Sequence, residues 1–165
     1  MDLVHQEEMQ QIMTLAKALK YKNRLLKKLS KVTGEIRKWN SIVVGAEREK
    51  DAKALVDSRR LLVDNLIATK MAIFTANGPI QEDIFTLAEI KGEISLLNEL
   101  DTRHGKHMPE YSYHSGEAKI VEYEAAIRQV DVDTTIAHLE SRVDELQDIL
   151  DKHNHTTEVT LDVLL

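Results

Sequence analysis

The chain has 165 residues, a formal net charge of −6, 30% charged and 4% aromatic residues, and no cysteine. The lack of cysteine excludes disulfides, thiolate metal sites and cysteine nucleophiles, and no apolar run approaches the roughly 18 residues of a membrane span. With so few glycines and prolines, this composition favours long, thin helices over a thick globular core.

The first predicted helix occupies the basic segment 1–44, begins within the first ten residues and runs toward Val43. One face follows steps of three and four, with Lys22 and Thr33 at places where an apolar residue is skipped. The apolar members of this stripe are Ile12, Leu15, Leu19, Leu26, Leu29 and Ile36. Gly34 interrupts this face and indicates a bend or the close approach of another helix, because glycine costs roughly 1 kcal/mol relative to alanine in a helix interior. Trp39 falls near the helix end, where we expect its ring to plug a core or an interface.

The segment 47–103 is predicted to form a helical hairpin. Its first helix carries two neighbouring apolar strips, which predict a broad face sandwiched between at least two other helices. The strips are Leu55, Leu62, Leu66 and Ile73, and beside them Val56, Val63, Ile67 and Phe74. The sequence Asn77-Gly78-Pro79 predicts a tight reversal with a left-handed glycine cap. The next helix has one apolar stripe, made of Ile80, Ile84, Leu87, Ile90, Ile94, Leu97 and Leu100.

Residues 104–130 are predicted to form a loop with a short β or extended insertion around 111–130. The period changes to two in this segment, because Val121, Tyr123, Ala125 and Ile127 alternate with mostly polar residues. A lone strand needs a partner, and the candidates are the Tyr111–Tyr113 stretch or another subunit.

The acidic last helix is predicted over 131–155, followed by a tail over 156–165. One narrow apolar stripe runs along this helix, and a stripe of this width has to be covered by another helix before the helix is stable. The tail either packs on the rest of the chain or occupies a groove on a partner. The predicted interaction residues are Ile136, Leu139, Val143, Leu146 and Leu150 of the helix, Trp39, and Val163, Leu164 and Leu165 of the tail.

These elements predict a mainly α fold within a single domain spanning 1–165. The expected shape is an elongated antiparallel helical bundle, coiled-coil-like, with about four helices and the short β insertion. The basic first helix and the acidic last helix have complementary charges, which can steer them into register within one chain or between subunits.

Several short motifs follow one another in the order found in a known family. They are Leu15-Ala16-Lys17-Ala18-Leu19-Lys20, Thr75-Ala76-Asn77-Gly78, Leu87-Ala88-Glu89 and Asn154-His155-Thr156-Thr157-Glu158-Val159. In this respect the chain resembles the septicolysin-like family of small helical bacterial proteins. The resemblance implies a helical fold, and the family name implies a pore-forming toxin, although this sequence has no candidate membrane span.

One group of residues resembles a metal site, namely Asp101, His104, His107 and His114. A carboxylate with imidazoles can hold zinc, iron or manganese, but the spacing is not diagnostic, since Gly105 interrupts any helical presentation of the ligands. Solvated loop histidines are the favoured interpretation, and a metal-binding protein or metal-dependent enzyme is the alternative. No phosphate loop or nucleophile motif is present, so we predict no catalytic residue and no cofactor.

The first helix also carries a basic surface, formed by Lys20, Arg24, Lys27, Lys28 and Lys31. Such a surface can bind nucleic acid or an anionic membrane, but the acidic total and the few nearby aromatic residues disfavour this alternative.

The function that we predict is therefore structural and non-enzymatic. The spare apolar stripes favour a protein that self-associates as a homo-oligomer or docks as a small subunit of a larger assembly. A bacteriophage particle is one such assembly, although no motif indicates it. The expected location is the cytoplasm, or the virion for a phage protein.

Overall fold

The computed structural model describes residues 8–107 and 120–164, and this part of the chain is mainly helical, with two small antiparallel sheets. The elements are strand β1 (Glu8–Thr14), helices α1 (Leu15–Asn40) and α2 (Ala52–Asn77), a 3-10 turn (Gly78–Ile80), helix α3 (Gln81–Glu99), strands β2 (Gly105–His107) and β3 (Val121–Tyr123), helix α4 (Gln129–Thr156) and strand β4 (Glu158–Leu164). The prediction of a mainly helical fold is confirmed. The bundle and coiled-coil shape stays a prediction.

The first helix begins at Leu15, so the prediction that it starts within the first ten residues is wrong. Thr14 has extended backbone, and its Oγ1 accepts a hydrogen bond from the backbone N–H of Lys17 at 3.4 Å, which marks the start of the helix. The residues before it form β1, which pairs antiparallel with β4. Helical spacing at Ile12 was misleading because the partner strand lies at the far end of the chain, where no local pattern reveals it.

The tail is docked on the chain itself, as strand β4. Its register runs from Glu8 opposite Leu164 to Thr14 opposite Glu158. A single residue, Thr157, links α4 to β4, and its carbonyl accepts a 2.8 Å hydrogen bond from the N–H of Leu15. Of the two outcomes predicted for the tail, packing on the rest of the chain is the one found.

The chain divides into two compact units. Unit 1 contains the described residues up to Gln81 together with those from Asp151 onward, and unit 2 is Glu82–Leu150. The prediction of a single domain is not tested by this division and stays a prediction.

The core of unit 1 lies where α1, α2 and the β1–β4 sheet meet. Its buried side chains come from all three layers, and they are Leu15, Ala18, Tyr21, Leu25 and Leu29 of α1, Leu62, Leu66 and Ile73 of α2, and Val159 and Leu161 of β4. Two buried polar residues, Asn65 and Thr69, lie on the same side of α2.

The chain stays in right-handed helical backbone between α2 and the start of α3. Gly78 has φ −45° and ψ −47°, and Asn77 and Gln81 are also right-handed. The predicted left-handed glycine cap and tight reversal at this point are therefore wrong. Pro79 is accommodated early in the 3-10 turn, where its missing N–H removes no helical hydrogen bond.

Gly34 lies within α1 and is exposed. A Cβ added at this position would meet nothing within 4 Å, so the interpretation of Gly34 as a close helix approach is wrong. A turn follows the helix, in which Gly45 has φ +89° and the N–H of Ala46 donates to the carbonyl of Val43 at 3.0 Å. A glycine is favoured there because this backbone region is strained for other residues.

In unit 2, β3 confirms the predicted strand at Val121–Tyr123, although residues 124–127 do not extend it. Its partner is β2, with Gly105 opposite Tyr123 and His107 opposite Val121. The predicted partner stretch, Tyr111–Tyr113, lies outside the described residues. The stripe predicted for the third helix is its least exposed face: Ile80 and Leu87 are buried and the other members are half-buried.

Within residues 8–107 and 120–164, no helix combines the length and the apolar composition that a membrane span requires.

Candidate interaction surfaces

The second apolar strip of α2 is only partly covered. Its members Val56 and Val63 are half-buried, and Val63 packs against the core of unit 1, but Ile67 and Phe74 are 55% and 66% exposed. The predicted sandwich of both strips is thus wrong at Ile67 and Phe74, because the core of unit 1 lies on the other side of the helix there. Met71, 57% exposed, lies between Ile67 and Phe74 at steps of four and three, so these three residues share one face. We call them the α2 stripe.

The stripe predicted on the last helix is the less exposed face of α4. Leu146 is fully buried, while Ile136, Leu139, Val143 and Leu150 are half-buried. The charged residues between the members of the stripe are all exposed, as a narrow stripe predicts. They are Glu140, Arg142, Asp144, Glu145 and Asp148.

Trp39 and Val163, two other predicted interaction residues, face the chain itself. The Trp39 side chain is buried near the end of α1, and the ammonium group of Lys38 lies 4.3 Å from the centroid of its ring. Val163 is half-buried and packs against the core of unit 1. The side chain of Leu164 and the whole of Leu165 lie outside the described residues.

The predicted metal group is occupied by other interactions where it is described. The Asp101 carboxylate binds the guanidinium of Arg103 through both of its oxygens. His104 Nδ1 accepts a hydrogen bond from the N–H of Ala125 at 3.3 Å, and His107 Nε2 lies 3.1 Å from the carbonyl oxygen of His104. Residues 8–107 and 120–164 contain no group of three His, Asp or Glu that could hold a metal ion. His114 lies outside these ranges, so the metal site stays a prediction.

In unit 2, Arg103 contacts both Asp101 and Tyr123. Its guanidinium carbon lies 4.2 Å from the ring centroid of Tyr123, and Nη1 donates a 3.2 Å hydrogen bond to the Tyr123 hydroxyl. The His107 ring meets the same tyrosine edge to face at 5.6 Å. Hydrogen bonds from Arg103 lower the pKa of Asp101 to about 2. The arrangement is a surface ion pair stacked on an aromatic ring, and it links the segment before β2 to β3.

The basic surface of α1 is present as predicted on exposed positions of the helix. Lys20, Arg24, Lys27, Lys28 and Lys31 are all exposed. Further along, Glu35 binds Lys50 Nζ at 2.6 Å, and this hydrogen bond lowers the pKa of Glu35. The exposed charges in the N-terminal half of α1 are therefore cationic, while the C-terminal half also carries the acid Glu35.

An open groove lies where this basic surface meets β1. Its volume is about 480 Å³, and its lining residues are Gln11, Ile12, Met13, Lys17, Lys20 and Arg24. We call it the β1 groove. The sequence predicted that Lys20 and Arg24 belong to a basic surface. It placed Ile12 in a helix, however, so the strand that forms the other wall of the groove was not predicted. The Ile12 side chain is 71% exposed.

Comparison of the chain with models of protein families, with curated proteins and with solved structures finds no match. The resemblance to the septicolysin-like family is neither supported nor refuted, and it stays a prediction. Function therefore has to be inferred from the surfaces described above.

Proposed function

We propose that this chain is a non-enzymatic interaction protein that self-associates through the α2 stripe and serves as a repeated subunit of a larger assembly. The observation that carries the proposal is the exposure of Ile67, Met71 and Phe74, each more than half exposed on one face of a helix whose other face is buried. Contiguous exposed apolar side chains of this size mark interaction surfaces in soluble proteins.

A second copy of the chain is the occupant that we propose for the α2 stripe. Apolar residues at steps of four and three form the ridge that packs into the groove of another helix, and two identical ridges can meet across a two-fold axis. Homo-oligomer interfaces are also more apolar than the rest of a protein surface, which fits a stripe without a charged member.

Light scattering coupled to size-exclusion chromatography tests the proposal. The wild-type chain is expected to have the mass of a discrete oligomer, and Met71→Glu with Phe74→Glu is expected to convert it to a monomer. Buried carboxylates in an interface are strongly unfavourable, whereas both positions are exposed in the single chain, so circular dichroism and the melting temperature should change little.

The matched control is Val43→Glu with Val44→Glu, which places the same two charges on exposed apolar residues of the loop between α1 and α2. This variant should keep the oligomeric mass. A wild-type chain that stays monomeric at all concentrations would refute the proposal, and so would an oligomer that survives both α2 substitutions. Purification from the native source should then show whether the oligomer belongs to a larger particle.

A further inference from the structure

Strand β1 has one edge that no described strand occupies, because within residues 8–107 and 120–164 it pairs with β4 alone. In an antiparallel pair, alternate residues turn their N–H and C=O toward the partner, and the residues between them turn theirs away. The N–H of Leu15 donates to the carbonyl of Thr157 at 2.8 Å in continuation of the same register. The odd-numbered residues of β1 therefore bond to β4, and Gln10 and Ile12 direct their backbone groups outward.

An independent contact supports this assignment of alternate residues to the two edges. Asn65 Nδ2 donates a 2.5 Å hydrogen bond to the carbonyl oxygen of Asp162, which lies opposite Gln10 in the register. This carbonyl thus faces away from β1 and toward α2. The outer edge of β4 is covered by α2, while the outer edge of β1 leaves its N–H and C=O groups available to another strand.

Three cations line the groove beside this open edge. Lys17, Lys20 and Arg24 follow one another at steps of three and four on α1, so they lie on one face and rise by about 4.5–6 Å from one to the next. Alternate residues of an extended strand are about 6.6–6.8 Å apart, which is a similar spacing. Among the side chains that the structure describes, no acid lines the groove to neutralise these cations.

We propose that the β1 groove binds an extended acidic segment of a partner protein, which adds to the sheet as a third strand beside β1. The segment would carry carboxylates at alternate positions, facing Lys17, Lys20 and Arg24. The intervening side chains would lie on the outward face of the sheet, beside Ile12. Asp162 and Glu158 are on that outward face, opposite Gln10 and Thr14, and they disfavour further acids there. Main-chain bonds supply affinity in this mode, and the charge pattern supplies specificity.

The groove fits an acidic peptide better than it fits a nucleic acid or a second copy of the chain. A nucleic acid would bind the cations, but it would leave the alternating backbone donors and acceptors of β1 unused. The described lining residues also include no aromatic side chain for base stacking. A second copy paired edge to edge through β1 would bring two identical sets of cations together, which is electrostatically unfavourable. The proposal does not depend on the α2 stripe, which lies on a different helix.

Fluorescence anisotropy with the full chain tests this inference. The probe is a seven-residue peptide with alternating glutamate and valine, equal in length to β1. Two further probes carry N-methyl groups, one on each set of alternate backbone amides. The plain peptide should bind, and only one methylated probe should lose affinity, by at least about tenfold, since only one set of amides faces β1.

The variant Lys20→Glu should weaken binding of the plain peptide by at least about tenfold. Lys27→Glu is the matched control, because Lys27 lies on the same helix and is exposed but does not line the groove. Its effect should stay below about threefold. Ile12→Pro should also abolish binding with little change in melting temperature, because the N–H that it removes points away from β4.

Four results would overturn the inference. The first is a wild-type chain that does not bind the plain peptide. The second is equal binding of the two methylated probes, and the third is binding of a single-stranded oligonucleotide that Ile12→Pro does not affect. Either of these would make the groove a general polyanion surface. The fourth is a dimer of the free chain that Ile12→Pro dissociates, which would assign the edge to a second copy.

Discussion

The hydroxyl of Tyr21 donates a 2.7 Å hydrogen bond to Oδ1 of Asn65, and both side chains are buried. Because Asn65 also donates to the carbonyl of Asp162, this one amide joins α1 and α2 to β4. A buried amide that is satisfied on both sides fixes the relative position of three elements, since any other packing would leave polar groups without partners.

Tyr21→Phe is expected to lower the free energy of unfolding by about 1–2 kcal/mol, because it leaves Oδ1 of Asn65 without this donor. Asn65→Ala should cost more, about 2–4 kcal/mol, since it removes the bonds to both Tyr21 and Asp162. Urea denaturation of the two single variants and the double variant measures their coupling. Costs that simply add would contradict a direct bond between the two side chains.

Leu25 and Leu26 are adjacent, but they differ in burial: Leu25 is 1% exposed and Leu26 is 45% exposed. Leu25→Ala should destabilise the protein by about 2–5 kcal/mol through the lost transfer energy and the cavity. Leu26→Ala should cost less than about 1 kcal/mol in the same urea titrations. The helical spacing placed Leu26, and not Leu25, in the apolar stripe of this helix. A larger cost for Leu26→Ala than for Leu25→Ala would therefore contradict the burial found in the structure.

Gly34→Ala is expected to stabilise the chain by about 0.5–1 kcal/mol. The position is exposed in the interior of α1 and nothing lies within 4 Å of the added methyl, so the gain in helix propensity meets no steric cost. The measurement is the thermal midpoint of unfolding, followed by circular dichroism. A lower midpoint would mean that glycine is required at this site, for example by a bend or by a partner.

The Asp101 carboxyl should titrate at about 2 in the folded chain, as measured by NMR of its side-chain carbon. In Arg103→Gln its pKa should return toward the ordinary value of about 3.9, because the hydrogen bonds from Arg103 are lost. The folded pKa is depressed, so the pair stabilises the fold above the unfolded pKa. That contribution disappears as the pH falls through about 2. An unchanged pKa in the variant would assign the shift to another group.

The difference between the two strips of α2 illustrates how far periodicity can be taken. Both strips have helical spacing, and sequence patterns alone gave no reason to prefer Leu66 over Ile67 for the core. The preference follows from the position of α1 and of β4, which pack on one side of α2 and leave Ile67 and Phe74 exposed. The wide apolar face therefore predicted burial correctly for Leu62, Leu66 and Ile73 and wrongly for Ile67 and Phe74.

Local sequence patterns were enough to predict the mainly helical character of the chain, the basic face of α1, the short strand at Val121–Tyr123 and the least exposed faces of α3 and α4. Each of these depends on residues a few positions apart, which a local period records. The pairing of residues 8–14 with 158–164, against the helical pattern at Ile12, became visible only in the folded chain. That pairing joins the two ends of the chain, and its hydrogen bonds are made by backbone groups that are the same in every residue, so the sequence nearby does not specify it. The β1 groove exists only because of this pairing.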